Sequence, residues 1–330
     1  MSKKHVAVVM GGYSDEYVVS LKSGQLIYDS LNRDLYHVYK VVILKNEWYF
    51  LEENGEKIPV SKGDFSVTLR NNEKLTFDVC FNIIHGTPGE NGILQAYWDA
   101  IGQTYTGCDF YQSALTFNKK DTLAVLSKYG IPSAKSIYLR KGDLIDTDQI
   151  INQLELPVFV KPNQSGSSLG ISKVKEKSEL IAATEIAFKE DDEILIESFL
   201  NGMEVSVGVI DFKGETIVLG ITEIVPQNEF FDYEAKYEGA SEEITPARID
   251  EETRKRVEEI AKKAYNSLGM SGFSRSEFIL MDGIPYMLEM NTNPGFSPAS
   301  ILPQQANHYG ISIQDLCGNE VEKALHKNKN

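Results

Sequence analysis

Only three cysteines occur in 330 residues, Cys80, Cys108 and Cys317, far apart and odd in number. They fit neither a disulfide framework nor a cysteine metal site, and reduced, partly buried thiols in a cytoplasmic protein are expected. No run approaches the ~20 consecutive apolar residues of a membrane span. The apolar stretch at residues 6–10 stops at Gly11-Gly12 without a small-residue cleavage site, so it reads as a first strand and not as a signal peptide. Positive charge is scarce: 33 Lys and Arg face 48 Asp and Glu, a formal charge of -15. A field of that sign repels phosphate backbones and anionic lipid, which argues against a nucleic-acid or membrane-surface protein while leaving room for a local basic pocket. Neither Gly, with 25, nor Pro, with 11, is in excess, so disorder and collagen-like repeats are disfavoured.

The length suits two or three units sharing one body. Strand 6–10 leads through the Gly-Gly turn into a helix with Val18, Leu21, Tyr28 and Leu31 on one face, where Gly24 would allow close packing. Strands are expected at 38–44, 48–51 and 79–84, with turns at Asn54-Gly55 and Asn71-Asn72. This alternation implies an α/β fold with a mostly parallel sheet. Ligands bind such sheets beyond the carboxyl ends of the strands, where Glu16 and His85 fall.

A helix over 118–129, capped by Asn118, is stopped by Gly130 and Pro132. Strands at 158–161, 171–174 and 194–197 enclose a helix at 177–188. Asp250 caps a long helix with Val257, Ile260, Ala261, Ala264 and Leu268 on one stripe, closed by Gly269. Strands 272–280 and 286–291 flank a turn at Asp282-Gly283, and the polar tail from His326 is expected to fray.

The strongest chemical constellation lies in that last pair of strands. Residues two apart share a face, so Arg275 points with Glu277 and Glu289 with Asn291. If the connection is Asp282-Gly283-Ile284, Met281 sits opposite Pro285, Glu277 faces Glu289 and Arg275 faces Asn291. Opposed carboxylates are destabilising unless neutralised, and oxygen ligands of this kind suit Mg²⁺. A two-residue Asp-Gly turn would instead send the glutamates to opposite faces and leave a solvated charged hairpin.

Other segments are weaker singly. Residues 163–170, after Lys161-Pro162, are small enough for backbone N–H groups to approach a phosphate, yet alone they read as a flexible loop. No Gly-Lys-Ser/Thr ends them, so this is not a Walker A motif. Residues 11–16 lack the third glycine of a dinucleotide fingerprint, which disfavours a nicotinamide dehydrogenase. His85 in the turn-rich segment 85–92 suits a hydrogen-bonded structural residue as well as a catalyst. Residues 230–237 suit a lid or a surface loop, and 293–298 a rigid loop that aims an N–H or simply a turn.

In order, these segments resemble the D-alanine–D-alanine ligases of the ATP-grasp superfamily, from Val6 to about Ile313. The Gly-Gly-x-Ser-x-Glu turn is residues 11–16, and Val-Ser-Leu-x-Ser-Gly is 19–24. His-Gly-x-x-Gly-Glu-x-Gly is 85–92, and Tyr-Thr-Gly is 105–107. The Lys-Pro…Gly-Ser-Ser-x-Gly loop is 161–170, Tyr-Glu-Ala-Lys-Tyr is 233–237, and Glu-x-Asn-Thr-x-Pro-Gly is 289–295. One departure is Glu277, where the family usually has Asp.

The resemblance implies an N-terminal mostly parallel sheet domain (1–117) followed by an ATP-grasp fold of two α+β subdomains, a lid (118–190) and a catalytic part (191–330). It implies ATP-driven joining of two D-alanines through an acyl phosphate, for peptidoglycan. Lys119 and Lys161 would hold the phosphates under Ser165, Gly166, Ser167 and Ser168. Glu197, Ser198 and Leu200 would hold the adenine and Glu204 the ribose, with Lys236 also on the nucleotide. Glu277, Glu289 and Asn291 would bind Mg²⁺, two ions in all, with Mn²⁺ as a substitute. Glu16 would anchor the first D-alanine's ammonium, linked to Ser167 and Tyr237, with His85 nearby. Ser300 would position the second carboxylate, and Arg275 with the Gly295 N–H would form the oxyanion site. Lys236-Tyr237, where D-alanine–D-lactate ligases commonly carry His, favours an amine acceptor. A homodimer is implied by the family. The rival readings are a D-lactate or other D-acid ligase on the same scaffold and a catalytically silent nucleotide-binding protein.

Overall fold

The computed structural model describes residues 2–166, 169–226 and 241–327. The first unit comprises β1 (Lys4–Gly11), α1 (Tyr17–Ser30), β2 (Tyr36–Ile43), β3 (Trp48–Leu51), β4 (Lys57–Pro59), the small ribbon β5 (Val67–Thr68) and β6 (Lys74–Leu75), and β7 (Val79–Asn82). The main sheet has the order β4-β3-β2-β1-β7, with β2, β1 and β7 parallel and β3 and β4 antiparallel at one edge. The unbroken apolar run of β1 is explained by burial on both faces. Val6, Val8 and Met10 face one core, and Ala7 and Val9 the other.

Helix α1 packs on the core through Leu21, Gly24, Tyr28 and Leu31 of the expected face, and only Val18 departs from it. Ser20, Ser23, Gly24 and Ile27 are buried, whereas Val18 is 44% exposed. The approach is close at Gly24, where a Cβ would lie 2.7 Å from Met10 Cε, so no side chain fits at that position. Ser20 Oγ accepts the Gly11 N–H at 2.9 Å and donates to the Ile83 carbonyl at 2.8 Å, tying the helix to the strand ends.

Three helices follow, α2 (Ile93–Ile101), α3 (Phe110–Phe117) and α4 (Lys119–Lys128). Asn118 caps α4 as expected, its Oδ1 accepting the Asp121 N–H at 2.9 Å. The second sheet is antiparallel, with order β10-β9-β11-β8. Its strands are β8 (Ser136–Arg140), β9 (Val158–Pro162), β10 (Ser172–Val174) and β11 (Glu193–Ser198), covered by α5 (Thr147–Leu154) and α6 (Leu180–Glu190).

The third sheet, order β14-β13-β12-β15-β16, is also antiparallel. It contains β12 (Met203–Phe212), β13 (Glu215–Pro226), β14 (Ser241–Ile244), β15 (Ser274–Met281) and β16 (Ile284–Asn291). Helix α7 (Glu251–Ser267) packs on it through Val257, Ala261, Ala264 and Tyr265, and Asp250 caps it by accepting the Thr253 N–H at 2.8 Å. Two further helices, α8 (Ile301–Tyr309) and α9 (Ile313–Lys327), close the chain. Helix α9 continues through Lys327, so His326 and Lys327 are helical where fraying was expected. Its Leu316, Cys317 and Val321 return to the core beside Val6 and Phe81 of the first sheet. Among the described residues no helix is long and apolar enough to cross a membrane.

Packing α9 there also buries Glu320. Burial is the main cause that pushes its pKa up to about 7, with Lys323 opposing and Asp211 reinforcing the rise. A carboxyl whose folded value lies above its unfolded value of 4.5 favours the native state at low pH, and that contribution fades as pH rises from 4.5 through 7. Glu320→Gln should therefore stabilise the protein above pH 7 by about 3 kcal/mol, and by little near pH 4.5. Urea unfolding of both proteins at pH 5 and pH 8 checks this; equal differences at the two pH values would refute it.

Candidate active site

The 274–291 hairpin reaches the expected carboxylate pairing by an unexpected route. The turn is the two-residue Asp282-Gly283, both at positive φ, with Met281 opposite Ile284 and Leu280, not Met281, opposite Pro285. That register would separate the glutamates, but a bulge at Leu288 shifts it by one residue. Beyond the bulge Glu277 faces Glu289 and Arg275 faces Asn291.

Each carboxylate has its own cation. Arg275 Nε lies 2.8 Å from Glu277 Oε1, which also accepts from Ser206 Oγ at 3.2 Å. Lys119, the first residue of α4, places Nζ 2.9 Å from Glu289 Oε2 and donates to the Ser165 carbonyl at 2.8 Å. Burial disfavours charge on Arg275, yet Glu277, Glu289, Glu243 and Glu90 together raise its pKa. Among the described residues no three His, Cys, Asp or Glu side chains converge as a metal site. The donors here are two carboxylates and the Asn291 amide, an oxygen set that fits Mg²⁺ and leaves positions for water and phosphate.

These groups line a cleft of about 830 Å³ between the second and third sheets. On its opposite wall Lys161 of β9 pairs with Glu197 of β11, Nζ to Oε2 2.6 Å, and both are buried. Gly166, Ser198, Leu200 and Glu204 also line it. The wall turns sharply at Gly202, where a Cβ would sit 2.1 Å from the Leu280 carbonyl oxygen. Ser165 contributes the carbonyl that Lys119 holds. Ser167, Ser168, Lys236 and Tyr237, with the whole 233–237 segment, lie outside the described residues.

The same cleft is lined by Glu16, His85, Gly295 and Ser300. His85 is buried and gripped at both nitrogens: Nδ1 is 2.7 Å from the Asn293 carbonyl and Nε2 3.0 Å from Ser23 Oγ. A carbonyl only accepts, so Nδ1 carries the proton and Nε2 accepts from Ser23. Burial lowers the His85 pKa against the pull of Glu16, so the ring is neutral. Ser23 Oγ in turn accepts the Phe296 N–H at 3.0 Å. Ser300 immediately precedes α8, and its Oγ turns back to the loop, accepting the Ser297 N–H at 3.0 Å and lying 3.1 Å from where a Gly295 Cβ would be. Glu16 approaches both neighbouring loops, since a Cβ on Gly86 or on Gly166 would come within 3.1 Å of its Oε2.

Sequence reasoning missed Glu90, Lys22, Glu223 and Glu243, which also line the cleft. Glu90 accepts the Gly86 N–H at 2.9 Å, and burial, reinforced by the charge of Glu16, pushes its pKa up to about 7. Its place in the 85–92 segment, five residues after His85, was the available signal.

Two family models match the chain, "D-ala D-ala ligase N-terminus" over residues 5–108 and "D-ala D-ala ligase C-terminus" over 125–322. The D-alanine–D-alanine ligase of Flavobacterium psychrophilum is 62% identical over 321 residues, covering 97% of each chain. Among solved structures, the VanG D-Ala:D-Ser ligase of Enterococcus faecalis superposes with a TM-score of 0.87 at 33% identity, covering 98% of this chain and 100% of the other. A Bacillus anthracis D-alanine–D-alanine ligase complexed with ATP gives 0.78 at 28% identity, covering 99% of both. With both models spanning its length and a curated relative this close, the chain belongs to the D-alanine–D-alanine ligase family and has the ATP-grasp fold.

Proposed function

We propose that this chain joins two D-alanines at the expense of ATP, supplying a dipeptide for peptidoglycan. The observation that carries the reading is one cleft lined by Lys119, Lys161, a facing carboxylate pair, Glu16, His85 and Gly295. In the first step a carboxylate oxygen of one D-alanine bonds to the γ-phosphorus, and the bond to the β,γ-bridging oxygen breaks. In the second, the amine of the other D-alanine attacks the acyl carbon, phosphate leaves, and the nitrogen gives up a proton.

Two anions must meet, so Lys119 and Lys161 hold positive charge along the phosphates. Mg²⁺ on Glu277, Glu289 and Asn291 would supply further neutralisation of phosphate oxygens when bound. Glu16 receives the first ammonium, while Arg275 and the Gly295 N–H receive the oxyanion. Ser300 meets the acceptor's carboxylate. Ser165, Gly166 and Ser168 meet the phosphates, Ser167 and Tyr237 serve the link to Glu16, and Lys236 serves the nucleotide. The adenine takes Glu197, Ser198 and Leu200 and the ribose Glu204. A division at 1–117, 118–190 and 191–330 separates substrate, lid and catalytic parts. The working form is a cytoplasmic homodimer.

The test is mass analysis of products from ATP, Mg²⁺ and D-alanine, with D-serine and D-lactate as competing acceptors. D-alanyl-D-alanine with equal ADP is expected; ester or mixed product in excess would reassign the acceptor. Chelating Mg²⁺ should abolish turnover, and readdition restore it. Without nucleotide the same treatment should leave Tm unchanged, because Arg275 and Lys119 already neutralise the carboxylates. Persistent turnover in chelator would remove the metal assignment.

A further inference from the structure

Asn293 occupies the open position of the 289–295 segment, between Thr292 and Pro294, and its side chain is buried. Its Nδ2 donates to the Gly89 carbonyl at 2.8 Å and to the Ile84 carbonyl at 3.3 Å, on either side of His85 and Gly86. Its own carbonyl accepts from His85 Nδ1 at 2.7 Å. One residue of the loop that follows β16 is thus gripped on its side chain and its carbonyl by the loop that follows β7.

Asn82 and Gln95 also converge on the Gly89 carbonyl, at 2.8 and 2.6 Å, so the acceptor that Asn293 uses is itself fixed. The grip then passes along the chain. Pro294 has φ locked by its ring, so a single soft dihedral separates the Asn293 carbonyl plane from the Gly295 N–H. Beyond Gly295, the Phe296 N–H is held by Ser23. Gly295 is therefore pinned from both sides, with Asn293 as the upstream pin.

We propose that Asn293 is a positioning residue for the ligation, one that aims the Gly295 N–H by clamping its loop to residues 84–90. This rests on the reading of that N–H as an oxyanion donor. A misplacement of about 1 Å in such a group costs up to ~10²-fold in rate.

Asn293→Leu keeps the size and removes both side-chain donors. It should lower kcat about 10- to 100-fold with KM for ATP unchanged. Binding of a phosphinate dipeptide, a mimic of the tetrahedral intermediate, should weaken by the same factor as kcat/KM. Asn293→Ser leaves room for a bridging water and should recover part of the loss; it also gives the answer if the leucine variant does not fold. Wild-type kcat in either variant would overturn the role. So would a parallel fall in Tm, ATP affinity and kcat, which marks a purely structural residue. A wild-type chain that makes no dipeptide would instead remove the ligase reading itself.

Discussion

Arg275→Lys should lower kcat by about 10²–10³-fold, the cost of losing one oxyanion donor, while Tm moves by only a few degrees. Arg275 does two separable things. Its charge offsets Glu277 at 2.8 Å beside the second carboxylate of the pair. Its planar fork also presents further N–H groups toward the cleft, which a lysine ammonium cannot reproduce in the same geometry. Lysine retains the first and loses the second. Arg275→Met loses both, and because Glu277 is buried its uncompensated charge should cost roughly 3–5 kcal/mol of stability as well. Steady-state kinetics and thermal melts on the two variants separate the effects. If lysine restores full kcat, Arg275 serves only to neutralise Glu277, and the oxyanion assignment falls.

The hairpin that carries Arg275 shows what the sequence can and cannot say. Alternation placed Arg275 with Glu277 and Glu289 with Asn291, and the facing pair is there. Leu288 carries no sign that it is the bulged residue, so the right pairing was reached through the wrong turn. In α1 the periodicity placed Leu21, Tyr28 and Leu31 on the core with Gly24 close against Met10, and it failed only at Val18, which lies at the exposed start of the helix. The caps at Asn118 and Asp250 were legible because a cap is local. Asn293 and Glu320 were not, because their roles exist only where distant segments meet: a glutamate on a terminal helix reads as surface until the segment at Gly272 covers it.

The same dependence on distant partners makes Lys161 a sensitive position in the cleft wall built from β9 and β11. Lys161→Met should abolish measurable ATP turnover and destabilise the protein by roughly 3–5 kcal/mol, because it strands the charge of buried Glu197. The two losses have different origins, and a second substitution divides them. In Lys161→Met/Glu197→Met no buried charge remains, and replacing a whole buried pair by apolar groups of similar volume is close to neutral. Stability should therefore return to near the wild-type value while turnover stays absent. ATP supplies a third readout: at 100 times its Kd it should stabilise the wild type by about 2.7 kcal/mol and the double variant by nothing. Recovery of turnover along with stability would mean that Lys161 holds Glu197 in place and never meets a phosphate. Persistent instability of the double variant would mean that the pair's geometry, not the stranded charge, supports β9 and β11 at this point.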